Sequence, residues 1–142
     1  MSIYSLALNS TVTTTGAGAW DVKAGSANRP ALMEMSLNLG AATASTYGIG
    51  RAGNTTTQTS AVLLQAEDPG DAAAASGCAV AWSVAPTIPS QFLRRVSLPA
   101  TIGAGIIWTF PRGLVLATSA SLVVWNLATN SASVNIHCVA DE

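Results

Sequence analysis

Met33, Met35, Leu37 and Leu39 alternate with Glu34, Ser36 and Asn38, and Val134, Ile136 and Cys138 alternate with Ser133, Asn135 and His137. A period of two places one set on each face of an extended strand, so both runs read as half-buried β-strands whose apolar face needs a second layer to cover it. Further strands are predicted over residues 3–8, 20–24, 47–51, 61–65, 79–84, 92–98, 106–110, 115–118 and 122–127. Glycine and proline fall between them, Gly16, Gly25, Pro30, Gly40, Pro69, Pro86, Pro99 and Gly113 among others, at the spacing of sandwiches and barrels. No segment carries a helical apolar stripe. Residues 71–76 hold four alanines and no other apolar residue, and read as a loop. The predicted fold is therefore all-β: an antiparallel two-sheet sandwich, with a jelly roll the commonest match for a chain of this size. The 142 residues form one such domain, 1–142, in which Met1 to Thr15 is either an arm or the first strand.

Composition narrows the function. Charged residues are 9% of the chain and hydrophobic ones 49%, with a formal net charge of -1; ordinary soluble domains carry roughly a quarter charged residues. Nearly half of the residues are Ala, Ser, Thr or Gly, so small neutral side chains carry the polar share. A compact chain of this mass has one charge per about 500 Å² of surface, which favours self-association. The expected role is a component of an assembly. Six Lys plus Arg do not make the basic stripe that nucleic acid requires, so no nucleic-acid partner is expected. Polar residues such as Thr118, Ser121, Asn126 and Asn135 interrupt the uncharged stretch 113–140 too often for a membrane span. No basic n-region precedes an apolar core at Met1-Ser2-Ile3-Tyr4-Ser5, so no signal peptide is read. Cys78 and Cys138, without a secretory context, are expected to be buried and reduced.

No motif carries catalytic chemistry. Gly48-Ile49-Gly50-Arg51-Ala52-Gly53 matches a dinucleotide fingerprint as a string, yet the residues after it, Asn54-Thr55-Thr56-Thr57, do not open the helix on which that site depends. His137 is the one histidine, which is too few for a cupin-like metal site, and no GxSxG elbow accompanies it. Glu67, Asp68 and Asp71 surround Pro69-Gly70 as in an ordinary turn rather than a calcium loop. The expectation is no catalytic residue, no metal and no cofactor.

Arg94 and Arg95 are adjacent on a predicted strand, so they point to opposite faces; either one faces inward or onto a partner, or the strand is an edge with both guanidinium groups in water. Trp20, Trp82, Trp108 and Trp125 are expected mostly in the core, with one or two as interface anchors or as a stacking platform for a sugar ring. Arg94, Arg95, Trp82 and Trp108 are the candidate interface residues.

The residues Ala66-Glu67-Asp68-Pro69, Ala81-Trp82-Ser83, Pro86, Pro89-Ser90-Gln91-Phe92-Leu93-Arg94-Arg95, Leu98-Pro99, 105–108 and Ser121-Leu122-Val123-Val124-Trp125-Asn126 together resemble small virion proteins of tailed bacteriophages. That resemblance implies a jelly-roll decoration, or cement, protein made in the host cytoplasm. It would sit on the capsid exterior as a homotrimer, bind the major capsid protein and stabilise the shell without catalysis. The alternative is a tail, fibre or carbohydrate-binding module that recognises host glycans.

Overall fold

The computed structural model describes residues 2–12, 14–129 and 133–142; Met1 and Thr13 of the segment read as an arm or first strand lie outside the described residues, and Ile3–Ser10 within it is the first strand. In chain order the strands are β1 (Ile3–Ser10), β2 (Gly18–Lys23), β3 (Ala31–Leu39), β4 (Ser45–Arg51), β5 (Thr57–Gln58), β6 (Val62–Leu63) and β7 (Gln65–Ala66). They continue with β8 (Gly77–Ala79), β9 (Trp82–Val84), β10 (Arg94–Leu98), β11 (Gly105–Val115), β12 (Ser121–Asn126) and β13 (Val134–Asp141). Residues 71–76 form no helix.

Pairing identifies the topology. The long strands form nested antiparallel pairs, β4 with β10, β3 with β11, β2 with β12 and β1 with β13. Rolling that nested hairpin brings β13 onto β3 and β12 onto β4. The result is one sheet of order β11-β3-β13-β1-β7, here sheet A, and a second of order β10-β4-β12-β2-β8-β6, sheet B. This is the jelly roll that the strand count suggests. Residues 52–93 are the loop at the tip of the rolled hairpin. They contribute β6 and β8 to one edge of sheet B, β7 to the same side of sheet A, and the β5–β9 ribbon.

The core lies between the sheets. Leu32, Met35, Leu37, Val134, Ile136 and Cys138 of sheet A meet Trp20, Val22, Tyr47, Ile49, Leu122 and Val124 of sheet B, all with almost no exposure. Each such aliphatic side chain contributes about 1.5–3 kcal/mol by leaving water, and β-branched and aromatic residues fit the pleated surface well.

Four local predictions change, the simplest being segment 61–65, which divides at Leu64 between β6 of sheet B and β7 of sheet A. Met33 is not on the core face, because the β3–β13 register passes from Leu32 opposite Ala140 to Glu34 opposite Val139. Met33 is thus the extra residue of a β-bulge, and the buried set is Leu32, Met35, Leu37 and Leu39. The segments 106–110 and 115–118 are not separate strands across Pro111. Residues 110–113 loop out between Thr109 and Leu114 while β11 continues, which lets an edge strand carry a proline. Segment 79–84 splits, its first part ending β8 in sheet B and its last part pairing with β5.

Candidate interaction surfaces

The two outer faces of the sandwich differ. On sheet B the tip loop lies across the outer face. Gly18, Gly48 and Gly50 make room for it: a Cβ at Gly48 would stand 2.8 Å from Phe92, one at Gly50 2.8 Å from Pro89, and one at Gly18 2.9 Å from Pro86. The string Gly48-Ile49-Gly50 therefore lies in a strand and supplies a flat floor for a lid, with no helix after it. Val123 and Trp125 are wholly buried beneath that lid although they point away from the main core.

Asp21 ties the lid down. It is completely buried on the outer face of β2. Its carboxylate accepts hydrogen bonds from Gln58 Nε2 at 2.7 Å and Trp82 Nε1 at 3.0 Å, one from each strand of the β5–β9 ribbon. Nearby, Thr56 Oγ1 and Ser121 Oγ share a hydrogen bond of 2.8 Å, and Lys23 Nζ donates to the Thr56 carbonyl. Burial pushes the Asp21 carboxyl above the usual aspartate value, partly offset by its hydrogen bonds to Gln58, Trp82, Ser121 and the Ala79 backbone. Sequence reasoning missed Asp21. The available signal was a charge between Trp20 and Val22, but its partners lie 37 and 61 positions away.

Among the described residues sheet A has no such lid. Its outer face presents Ser5, Ala7 and Asn9 on β1, Asn135, His137 and Val139 on β13, and Glu34, Ser36 and Asn38 on β3. Ile107 continues the row of Ser36 and is 64% exposed. An asparagine ladder crosses three strands, with Asn9 Nδ2 donating to Asn135 Oδ1 at 3.0 Å and Asn135 Nδ2 to Asn38 Oδ1 at 3.1 Å. Beside it a shallow depression of about 330 Å³ is lined by Ser36, Asn38, Gly105 and Ile107. His137 stands in this flat array between Ala7 and Ser36.

Of the predicted interface residues, Arg94 and Arg95 lie on β10, an edge strand of sheet B. Arg94 shares the inward face with Val96 and Leu98, yet both guanidinium groups are exposed, because the strand borders the open side of the sandwich. Arg94 donates to the Leu93 carbonyl at 2.7 Å and sits 6.0 Å from the centre of the Phe110 ring. Arg95 lies 5.7 Å from that of Phe92, the lid residue. Of the two readings of this pair, the edge strand with both guanidinium groups exposed is the one found, each guanidinium making a cation–π contact. Trp82 is half-buried, with its N–H held by Asp21, and Trp108 is half-buried against the core. Trp20 and Trp125 are fully buried, so no pair of open indole faces is offered to a sugar. Cys78 and Cys138 are free and buried. Burial, the neighbouring Cys138 thiol and the Asp21 charge all push the Cys78 thiol up, which leaves it a poor nucleophile.

Among the described residues no three His, Cys, Asp or Glu side chains group as metal ligands, and no helix is long and apolar enough to cross a membrane. No protein-family model matches the chain, and no curated protein matches it.

Proposed function

We propose that this chain is a non-enzymatic virion structural protein of a tailed bacteriophage, a decoration protein that binds the outer surface of the capsid as a homotrimer and stabilises the shell. The observation that carries this reading is the outer face of sheet A, which is five strands wide, has no lid among the described residues and is lined mostly by Ser, Asn, Ala and Val, with His137 and only Glu34 and Asp141 as charges among the paired positions of β1, β3 and β13. Such a flat, sparsely charged surface costs less to desolvate than a charge-rich one, and its amide ladder offers hydrogen bonds across a contact.

Size explains why an oligomer is needed. Four strand spacings and eight residues of strand give a face of roughly 19 by 27 Å, or about 500 Å², below the ~800 Å² per partner of a stable interface. Three copies linked to one another engage the shell together and gain affinity through effective concentration. Contacts present in the assembled shell and missing from free capsid subunits then stabilise the shell by mass action. The glycan-binding alternative requires exposed aromatic platforms, and the buried or half-buried tryptophans do not favour it.

The test is a density map of the intact particle that contains this chain. The expected result is its density outside the shell at junctions between capsomers, with the outer face of sheet A against the capsid. Density confined to the tail or fibres overturns the proposal.

A further inference from the structure

Six of the chain's charged residues gather on two opposite sides of the sandwich, Arg51, Arg94 and Arg112 on one and Glu67, Asp68 and Asp71 on the other, with Glu34 of β3 one strand in from the arginines. On one side of the sandwich the edge strands are β10 and β11. There, Arg94 stacks on Phe110, Arg51 Nη2 donates to the Val115 carbonyl at 3.1 Å, and exposed Arg112 rides on the looped-out segment of β11. These contacts are to rings and carbonyls, so the positive charges stay available to a partner. Arg94, Phe110 and Arg112 line a depression of about 400 Å³, and Leu93 and Val115 beside it are 40% and 41% exposed.

The opposite side is bordered by β6 and β7. It carries exposed Glu67 and Asp68 and half-exposed Asp71, in a turn pinned by Glu67 N donating to the Ile3 carbonyl at 2.8 Å. Val62 and Leu63 are exposed next to it, at 40% and 48%. Each side thus combines apolar side chains with charges of a single sign.

The strand register puts the two sides at one height. Leu114, Leu32, Ala140, Tyr4 and Ala66 form one row across sheet A, and Val115, Ala31, Asp141 and Ile3 form the next. The arginine-bearing loop adjoins the β11 end of these rows and the acidic turn adjoins the β7 end, roughly 19 Å away across four strand spacings. A second copy placed beside the first by rotation about an axis along the strands brings the acidic turn of one against the arginines of the other.

We infer that the chain assembles head to tail with copies of itself, the β10–β11 edge of one copy docking on the β6–β7 edge of the next. This rests on the oligomer reading above and names its interface. Because the two surfaces differ, the contact is heterologous and closes into a ring only through rotation, and it leaves the outer face of sheet A free for the shell. Complementary charges supply register and steering, and the apolar side chains supply the buried area.

Charge reversal tests this. One variant carries Arg94→Glu and Arg112→Glu, a second Glu67→Lys and Asp71→Lys, and a third all four changes; Asp68 is kept because its carboxylate holds the Gly70 amide. Melting followed by circular dichroism checks that each variant folds, and light scattering at low salt reads the mass. Each one-edge variant is expected to dissociate at concentrations about 100-fold higher than the unaltered chain, since like charges then face each other. The four-change variant, complementary again, is expected to reassociate. One-edge variants that remain as associated as the unaltered chain, or a four-change variant that stays dissociated, overturn the edge assignment and leave the oligomer reading intact. An unaltered chain that is monomeric removes that reading and this inference together.

Discussion

Replacing Asp21 by alanine is expected to lower folding stability by about 3 kcal/mol, because it strands two donors, Gln58 Nε2 and Trp82 Nε1, beneath the lid at about 1–3 kcal/mol each. For a chain of this length each kcal/mol moves the melting temperature by roughly 2–4 °C, so the transition should fall by about 10 °C. Thermal or urea unfolding measures this, and a loss under about 1 kcal/mol contradicts the clamp. The pH dependence has a defined sign. The folded pKa of Asp21 lies above the ordinary 3.8, so the native state holds this proton more tightly than the unfolded chain. Its contribution is fully present below that ordinary value, declines as pH rises to the raised folded value, and is flat above it. In Asp21→Asn this slope should vanish, and unfolding curves across the acid range compare the two.

The second large effect is expected at Gly50. On an uncovered strand, glycine to valine stabilises, because valine loses less chain entropy and suits the pleat. Here the new Cβ stands 2.8 Å from the rigid ring of Pro89 and 3.4 Å from Phe92 and from Trp125 Nε1. Overpacking of this kind costs about 1–3 kcal/mol, and the lid is the part able to yield. Gly50→Val should therefore destabilise by about 2–3 kcal/mol, speed amide exchange across residues 86–92 and shift tryptophan fluorescence to the red as water reaches Trp125. Unchanged exchange with a raised melting temperature contradicts a packed lid.

These two sites show where local pattern carries information and where it does not. Alternation at Val134, Ile136 and Cys138 is legible because each side chain's face depends only on its own strand, and all three are buried. Met33 breaks the same rule because a bulge is a property of two strands, visible only once β13 is paired beside β3. The adjacent faces of Arg94 and Arg95 follow from parity, while their exposure follows from β10 being an edge, which depends on the order of the whole sheet. Gly48 and Gly50 give a nucleotide-like string with no hint that Phe92 and Pro89, some forty positions on, lie over them. Asp21 is the extreme case, a buried carboxylate whose Gln58 and Trp82 donors lie in a distant ribbon. The asparagine ladder was equally hidden, since Asn9, Asn38 and Asn135 meet only through register.

The central claim, that this sparsely charged jelly roll is a subunit whose charged edges are completed by further copies, is tested most directly by its mass in solution. Light scattering of the purified chain, diluted to low micromolar concentration, should give about three times the 14.4 kDa of the single chain, with dissociation on adding salt as charge pairing is screened. A mass of 14.4 kDa at every concentration and at low salt contradicts the claim.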